Sequence, residues 1–136
     1  MANALYDHGR EGFLDGSIDW DTDDIRAILI DTDDYSVNLA THDNLDDIPG
    51  GARVATSGAL TGKSVTDGVA DADDVTWGSV SGDECEAIVL YKHTSTESTS
   101  RLIAYIDTAG GTLPVTPNGG DIEVQWAGSP NYIFKL

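Results

Sequence analysis

The sequence has 136 residues, room for one domain, since globular domains centre on roughly 100–150 residues. It is 40% hydrophobic, with three Trp, five Tyr and two Phe, which is too apolar for a disordered segment and too interrupted for a membrane span. Its 24 acidic residues against seven basic ones leave a net charge of -17, so it lacks the Lys and Arg with which a protein displaces counterions from a phosphate backbone, and direct nucleic-acid binding is excluded.

Residues Ala4 to Leu14 predict a short helix, with Asn3 as N-cap, Leu5, Gly9 and Phe13 at i, i+4 and i+8, and Gly16 as the stop signal. Gly9 and Gly12 each cost about 1 kcal/mol against alanine, so this helix needs a surface to dock on, in this chain or another. The run Ile25-Arg26-Ala27-Ile28-Leu29-Ile30, bounded by Asp clusters, predicts a strand. Thr41 to Ile48 predicts a second short helix, with Thr41 capping and Leu45 and Ile48 on one face before Pro49-Gly50-Gly51 ends it, and Ala52 to Thr56 resumes an extended pattern. In Ser64-Val65-Thr66-Asp67-Gly68-Val69-Ala70 the Asp-Gly pair between β-prone residues predicts a two-residue type I′ hairpin turn.

Ala87 to Tyr91, Leu102 to Ile106 and Tyr132 to Phe134 are apolar on both faces and predict central strands. The first two form an antiparallel pair joined by the Ser/Thr-rich loop Thr94 to Ser100. Cys85, the only cysteine, stands just before the first of these runs and reads as a buried structural thiol; it excludes an intrachain disulfide. From Ile122 to Trp126 the pattern alternates, with Ile122, Val124 and Trp126 on one side and Glu123 and Gln125 on the other. These elements predict a mainly β fold: a single-domain antiparallel β-sandwich or partly closed barrel, jelly-roll or Ig-like, with a short N-terminal helix.

No catalytic motif stands out. His8, His42 and His93 lack metal-ligand spacing, there is no Gly-x-Ser-x-Gly elbow, and Gly110-Gly111 and Gly119-Gly120 do not open a helix after a strand as phosphate loops do. Asp19, Asp21 and Asp23 alternate as at the start of an EF-hand and are the weak metal candidates. The pattern then fails, because the sixth position is Asp24 where a glycine is needed and the twelfth is Ile30 where a glutamate belongs. Trp20, Trp77 and Trp126 are dispersed and read as core or rim residues. The reading is of a protein that is not an enzyme and carries no cofactor. Met1 to Asp7 lacks the basic start and roughly 7–15-residue apolar stretch of a secretory signal, so synthesis in the host cytoplasm is expected. The acidity fits adaptation to molar salt, where the Debye length shrinks to about 3 Å, or an acidic coat that keeps crowded copies apart or matches a basic partner.

Five stretches carry a resemblance: Met1 to Asp7 with Arg10 to Leu14; Ala40-Thr41-His42 to Ile48-Pro49; Ala52 to Ser57; Val65 to Ala72; and Arg101 to Thr108 through Leu113 to Ile122. Together they resemble small virion structural proteins of tailed double-stranded DNA viruses, bacteriophages among them. The resemblance implies a virion component, most specifically a capsid decoration (cement) protein on the outer capsid surface, bridging subunits of the major capsid protein, as a homotrimer at local threefold axes or equally as a dimer or a monomer at capsomer centres. Under that reading residues 1–16 are a docking arm, with Leu5, Tyr6, Arg10, Phe13 and Leu14 facing the partner, and residues 17–136 are the β-sandwich; a strand edge near the C-terminus is a second docking element. A tail or head-fibre component and a calcium- or ligand-binding β module are the alternatives. Extra Asp, as in Asp21 to Asp24 and Asp31 to Asp34, departs from the resemblance toward a salt-loving host.

Overall fold

A strand with apolar residues on both faces must be covered on both, and three such strands organise this fold. The computed structural model describes residues 3–107, 113–126 and 133–136. In chain order its elements are β1 (Ala4–Leu5), helix α1 (Asp7–Asp15), β2 (Ile25–Ile30), β3 (Arg53–Thr56), β4 (Ser64–Thr66), β5 (Val69–Asp71), β6 (Val75–Trp77), β7 (Ala87–Lys92), β8 (Leu102–Ile106), β9 (Ile122–Val124) and β10 (Phe134–Lys135). The strands make an antiparallel sheet of five in the order β1-β8-β7-β2-β3, one of three in the order β10-β5-β4, and the pair β6-β9. The sheets stay open, so the mainly β architecture is that of a sandwich with one helix near the N-terminus.

Strands β2, β7 and β8 are buried nearly throughout. One face of the large sheet, with Ala27, Leu29, Ile88, Leu90 and Ile106, packs against Ala70, Val75, Trp77, Ile122 and Val124 of the two small sheets. The opposite face, with Ile28, Ile30, Val89, Tyr91 and Leu102, is covered by Tyr6 and by Tyr35, Leu45, Ile48 and Ala52 from the long connection between β2 and β3. That cover is fastened by Arg53, whose guanidinium donates to the carbonyls of Leu45 (2.8 Å) and Ile48 (2.6 Å) and pairs with Glu97 at 3.0 Å.

Several expectations meet the structure directly. The Asp67-Gly68 turn has positive φ at both residues (54° and 79°), as a type I′ turn demands, and joins β4 to β5 with Thr66 opposite Val69. The alternation after Ile122 holds, with Ile122 and Val124 buried and Glu123 and Gln125 exposed. Cys85 is buried, and burial, reinforced by Glu86 and neighbouring carboxylates, pushes its thiol up to about 11.

Other expectations are corrected. The N-terminal helix starts at Asp7, because Ala4–Leu5 is drawn out as an edge strand on β8 and Tyr6, in place of Asn3, occupies the N-cap without a side-chain hydrogen bond. The predicted helix over Thr41 to Ile48 shrinks to the 3₁₀ turn Leu45–Asp47, since the segment has to lay Leu45 and Ile48 flat on the sheet. Phe134 is not in a central strand: β10 is an edge of the three-stranded sheet, and Tyr132 lies outside the described residues, as do Gly110-Gly111.

The N-terminal segment is built into its own domain. Strand β8 carries one extra residue against β7 at Ile103, where the pairing shifts, and the carbonyl of Ile103 accepts a hydrogen bond from Tyr6 N–H at 3.0 Å. Helix α1 follows at once and sits on this bulge through Gly9, where a Cβ would lie 2.8 Å from the backbone oxygens of Leu102 and Ile103. Tyr6 points inward: its hydroxyl lies 2.9 Å from that of Tyr35, which lies 2.8 Å from His42 Nδ1. Asn38 N–H also donates to Nδ1, which fixes that nitrogen as an acceptor, so Tyr35 donates to His42 and Tyr6 to Tyr35.

Burial raises the Tyr6 phenol well above the ordinary tyrosine range, and burial pushes Tyr35 up to about 12. A raised pKa means that the unfolded chain loses these protons first, so the stability is whole below the ordinary tyrosine value of 10.0 and drains away as pH climbs toward 12. The melting temperature is therefore expected to hold up to about pH 10 and fall steeply above it, with Tyr35→Phe showing a shallower fall. A melting temperature unchanged up to pH 12 would contradict the buried relay.

Candidate functional site

A groove of about 380 Å3 opens where α1 ends, between that helix, the β4–β5 hairpin and β10. Its construction follows from local sequence. Gly16 terminates α1 in the left-handed conformation (φ 82°) and turns the chain, so that Ile18 and Trp20 drop into the interior beneath the helix. Trp20 is held by its indole N–H, which donates to the carbonyl of Asp71 on β5 at 3.0 Å. Phe134 meets the edge of Trp20 at a centroid distance of 5.2 Å and lies 5.8 Å from Phe13. Val65, Val69 and Ala70 form the hairpin wall.

Only three large apolar side chains are strongly exposed among the described residues: Leu14 at 88%, Leu136 at 61% and Val65 at 57%. Two of them, Val65 and Leu136, line this groove. Its charged lining is acidic, from Asp19 and Asp21, which share a hydrogen bond that holds Asp19 below the ordinary carboxylate range and raises Asp21 above it. No histidine, serine, cysteine, lysine or arginine lines the groove among the described residues, so what it offers is an apolar bed with two carboxylates at the rim.

The five residues named from sequence separate here. Leu5 and Tyr6 are committed to the protein's own interior, one in each core, and neither presents a surface to another chain. Arg10 is exposed and pairs with Asp7 at 3.1 Å. Phe13 lines the groove, and Leu14 beside it projects into solvent. Sequence reasoning missed Ile18, Trp20, Val65 and Phe134, which come from three segments far apart in the chain. The one local signal was Val65 beside the tight Asp-Gly turn, on a short strand exposed at all three positions.

The carboxylates gather elsewhere than the sequence suggested. Asp23 turns back to accept from Asp19 N–H at 2.8 Å and pairs with Lys92 at 3.2 Å, which takes it away from a shared site with Asp19 and Asp21. Among the described residues the groups of three whose oxygens come within 4.8 Å of one another are Asp31, Asp34 and Asp83, and Asp43, Asp46 and Asp47. The first belongs to an acidic bowl of about 370 Å3 that also includes Asp33, Glu84 and Glu86. In it Asp31 accepts from Asp33 N–H, and Glu86 accepts from both the backbone and the hydroxyl of Thr32 at 2.9 Å.

Positive charge is spent inside the molecule: Arg10, Arg26, Arg53, Lys92 and Arg101, five of the seven basic residues, sit in ion pairs with its own carboxylates. These pairs are partly exposed and each contributes little, about 0–1 kcal/mol, whereas the remaining carboxylates repel one another over the whole surface. The melting temperature is accordingly expected to rise between low-salt buffer and molar KCl, where screening removes more repulsion than attraction. A flat or falling response would contradict this balance.

Comparison with models of known protein families and with curated proteins finds no match to this chain. No helix among the described residues is long and apolar enough to cross a membrane.

Proposed function

We propose that this protein is a virion structural protein of a tailed double-stranded DNA virus, a capsid decoration protein that binds the outside of the head and bridges neighbouring major capsid subunits. The observation that carries the reading is the groove at the end of α1: a preformed apolar bed with exposed aliphatic rims on a chain of net charge -17. Such a surface recognises another protein and does no chemistry on it. A domain that docks on two neighbours only when they are correctly placed stabilises the shell by mass action, in proportion to how tightly it binds the assembled state. The acidity suits the outer surface, away from packaged DNA, and opposes clustering of free copies. A homotrimer at a local threefold position satisfies the same geometry, with the groove of each copy turned toward the shell.

The test is quantitative mass spectrometry of purified particles separated into DNA-filled heads and isolated tails. Copies in the hundreds on heads and none on tails are expected of a decoration protein. Presence confined to tails, or absence from particles, overturns the reading.

A further inference from the structure

We propose that the groove between α1 and the β4–β5 hairpin receives an extended segment of a partner protein, with one large apolar side chain seated beside Trp20 and Phe134 and a neighbouring lysine or arginine paired to Asp19 and Asp21. This rests on the reading of the groove as the docking surface and names the chemistry of what docks.

Three observations select this occupant. The volume of about 380 Å3 lies in the range of preformed binding clefts, about 300–1,000 Å3. The lining is aromatic and aliphatic, and Trp20 and Phe134 are fixed in place by a hydrogen bond and an edge-on ring contact, so the bed exists before anything binds. The charged side chains of its lining are two carboxylates that crowd each other; Lys63, which acts on Asp21, stands outside the lining and is engaged by the Asp23 carbonyl. A cation brought by the occupant relieves that repulsion and fixes the register of the apolar side chain. The same rim argues against a second copy seated in the groove, because five of the seven basic side chains are already engaged by the chain's own carboxylates and are not free to answer Asp19 and Asp21. Anionic lipid and nucleic acid are repelled by the net charge of -17.

The experiment uses the full chain, isotope-labelled, with four probes: acetyl-Gly-Lys-Phe-Lys-Gly-amide, its counterpart with both lysines replaced by glutamate, its counterpart with phenylalanine replaced by serine, and n-octylammonium. The Lys-Phe-Lys peptide is expected to shift the Trp20 indole and the amides of Phe13 to Asp21 and Val65 to Ala70 while leaving the Trp77 indole unmoved. Its affinity, on the order of millimolar for so small a peptide, is expected to fall at least tenfold in Val65→Asp and in Asp19→Asn/Asp21→Asn, both changes at exposed positions. Equal binding of the serine peptide, shifts centred on the acidic bowl around Asp31, or no binding at all overturns the proposal. So does n-octylammonium binding in the groove where the peptide fails, which reassigns it to a small cationic ligand, and so does a dimer in sedimentation equilibrium that Val65→Asp dissolves. Because these measurements need no particle, failure here with normal copy number on heads removes the groove assignment alone, and binding here with absence from heads removes the virion role alone.

Discussion

Replacing Trp77 with alanine is expected to destabilise the folded chain by about 3–5 kcal/mol and to lower the melting temperature by roughly 10–20 °C, the largest effect of any single truncation considered for this fold. Trp77 ends β6 with only 3% of its surface exposed and lies between the β6-β9 pair and the large sheet. Its indole N–H reaches the carbonyl of Ala27 on β2 at 3.3 Å, so one side chain fills the interlayer space and supplies a polar tie across it. Among the described residues β6 pairs with β9 alone, three residues against three, which is too little backbone pairing to hold these strands without an apolar anchor. Trp77→Phe keeps most of the volume and loses the hydrogen bond, and about 1–2 kcal/mol is the expected cost. Urea unfolding followed by far-UV circular dichroism measures both. A Trp77→Ala loss below about 1 kcal/mol would mean that the two layers are held elsewhere.

The second large effect is expected at Gly9. Gly→Ala in a helix interior ordinarily stabilises by about 1 kcal/mol, but here the new Cβ would stand 2.8 Å from two backbone oxygens of β8 and 2.9 Å from the Ile103 Cα. Backbone in the middle of a sheet does not give way, so α1 has to lift, and a net loss of about 1–3 kcal/mol is expected. Gly12 is the internal control. A Cβ there meets side-chain atoms alone, Ile18 at 2.5 and 2.7 Å and the Ser17 hydroxyl at 3.3 Å, which can shift where backbone cannot, so Gly12→Ala is expected to cost less than Gly9→Ala. Hydrogen exchange separates the two further: faster exchange across Asp7 to Asp15 in Gly9→Ala, with the large sheet still protected, is the signature of a displaced helix. Since Phe13 on that helix lines the groove, Gly9→Ala is also expected to weaken the binding of an apolar side chain there.

These two sites show what the sequence could and could not reveal. Gly9 and Gly12 mark α1 as a weak helix that needs a surface, and it does rest on one. What the sequence could not supply was the address, because the bulge at Ile103 that makes room for Gly9 arises only when β8 pairs with β7. Ile25–Ile30 and Leu102–Ile106 were legible because continuous apolar runs leave strands few alternatives, and Asp67-Gly68 because few residue pairs tolerate two positive φ values. Thr41 to Ile48 misled for the converse reason: helical spacing of Leu45 and Ile48 also suits a cover lying flat on a sheet. The groove was the least legible feature. Phe13, Trp20, Val65 and Phe134 are each unremarkable in their own segments and become a site only through the pairing of β10 with β5 and the descent of the chain after Gly16. The alternation of Asp19, Asp21 and Asp23 is legible in sequence, but the structure puts the first two in the groove's lining and draws Asp23 off to Lys92.

The reading of this chain as a clasp on a DNA-filled shell is tested most directly by heating. Heads stripped of the protein, heads as isolated and stripped heads resupplied with purified protein should be warmed in parallel while DNA release is followed with a membrane-impermeant dye. Stripped heads are expected to release DNA at a lower temperature than native ones, with the resupplied heads restored and Val65→Asp failing to restore them. Release at one common temperature in all samples, with the protein shown to rebind, would contradict the account.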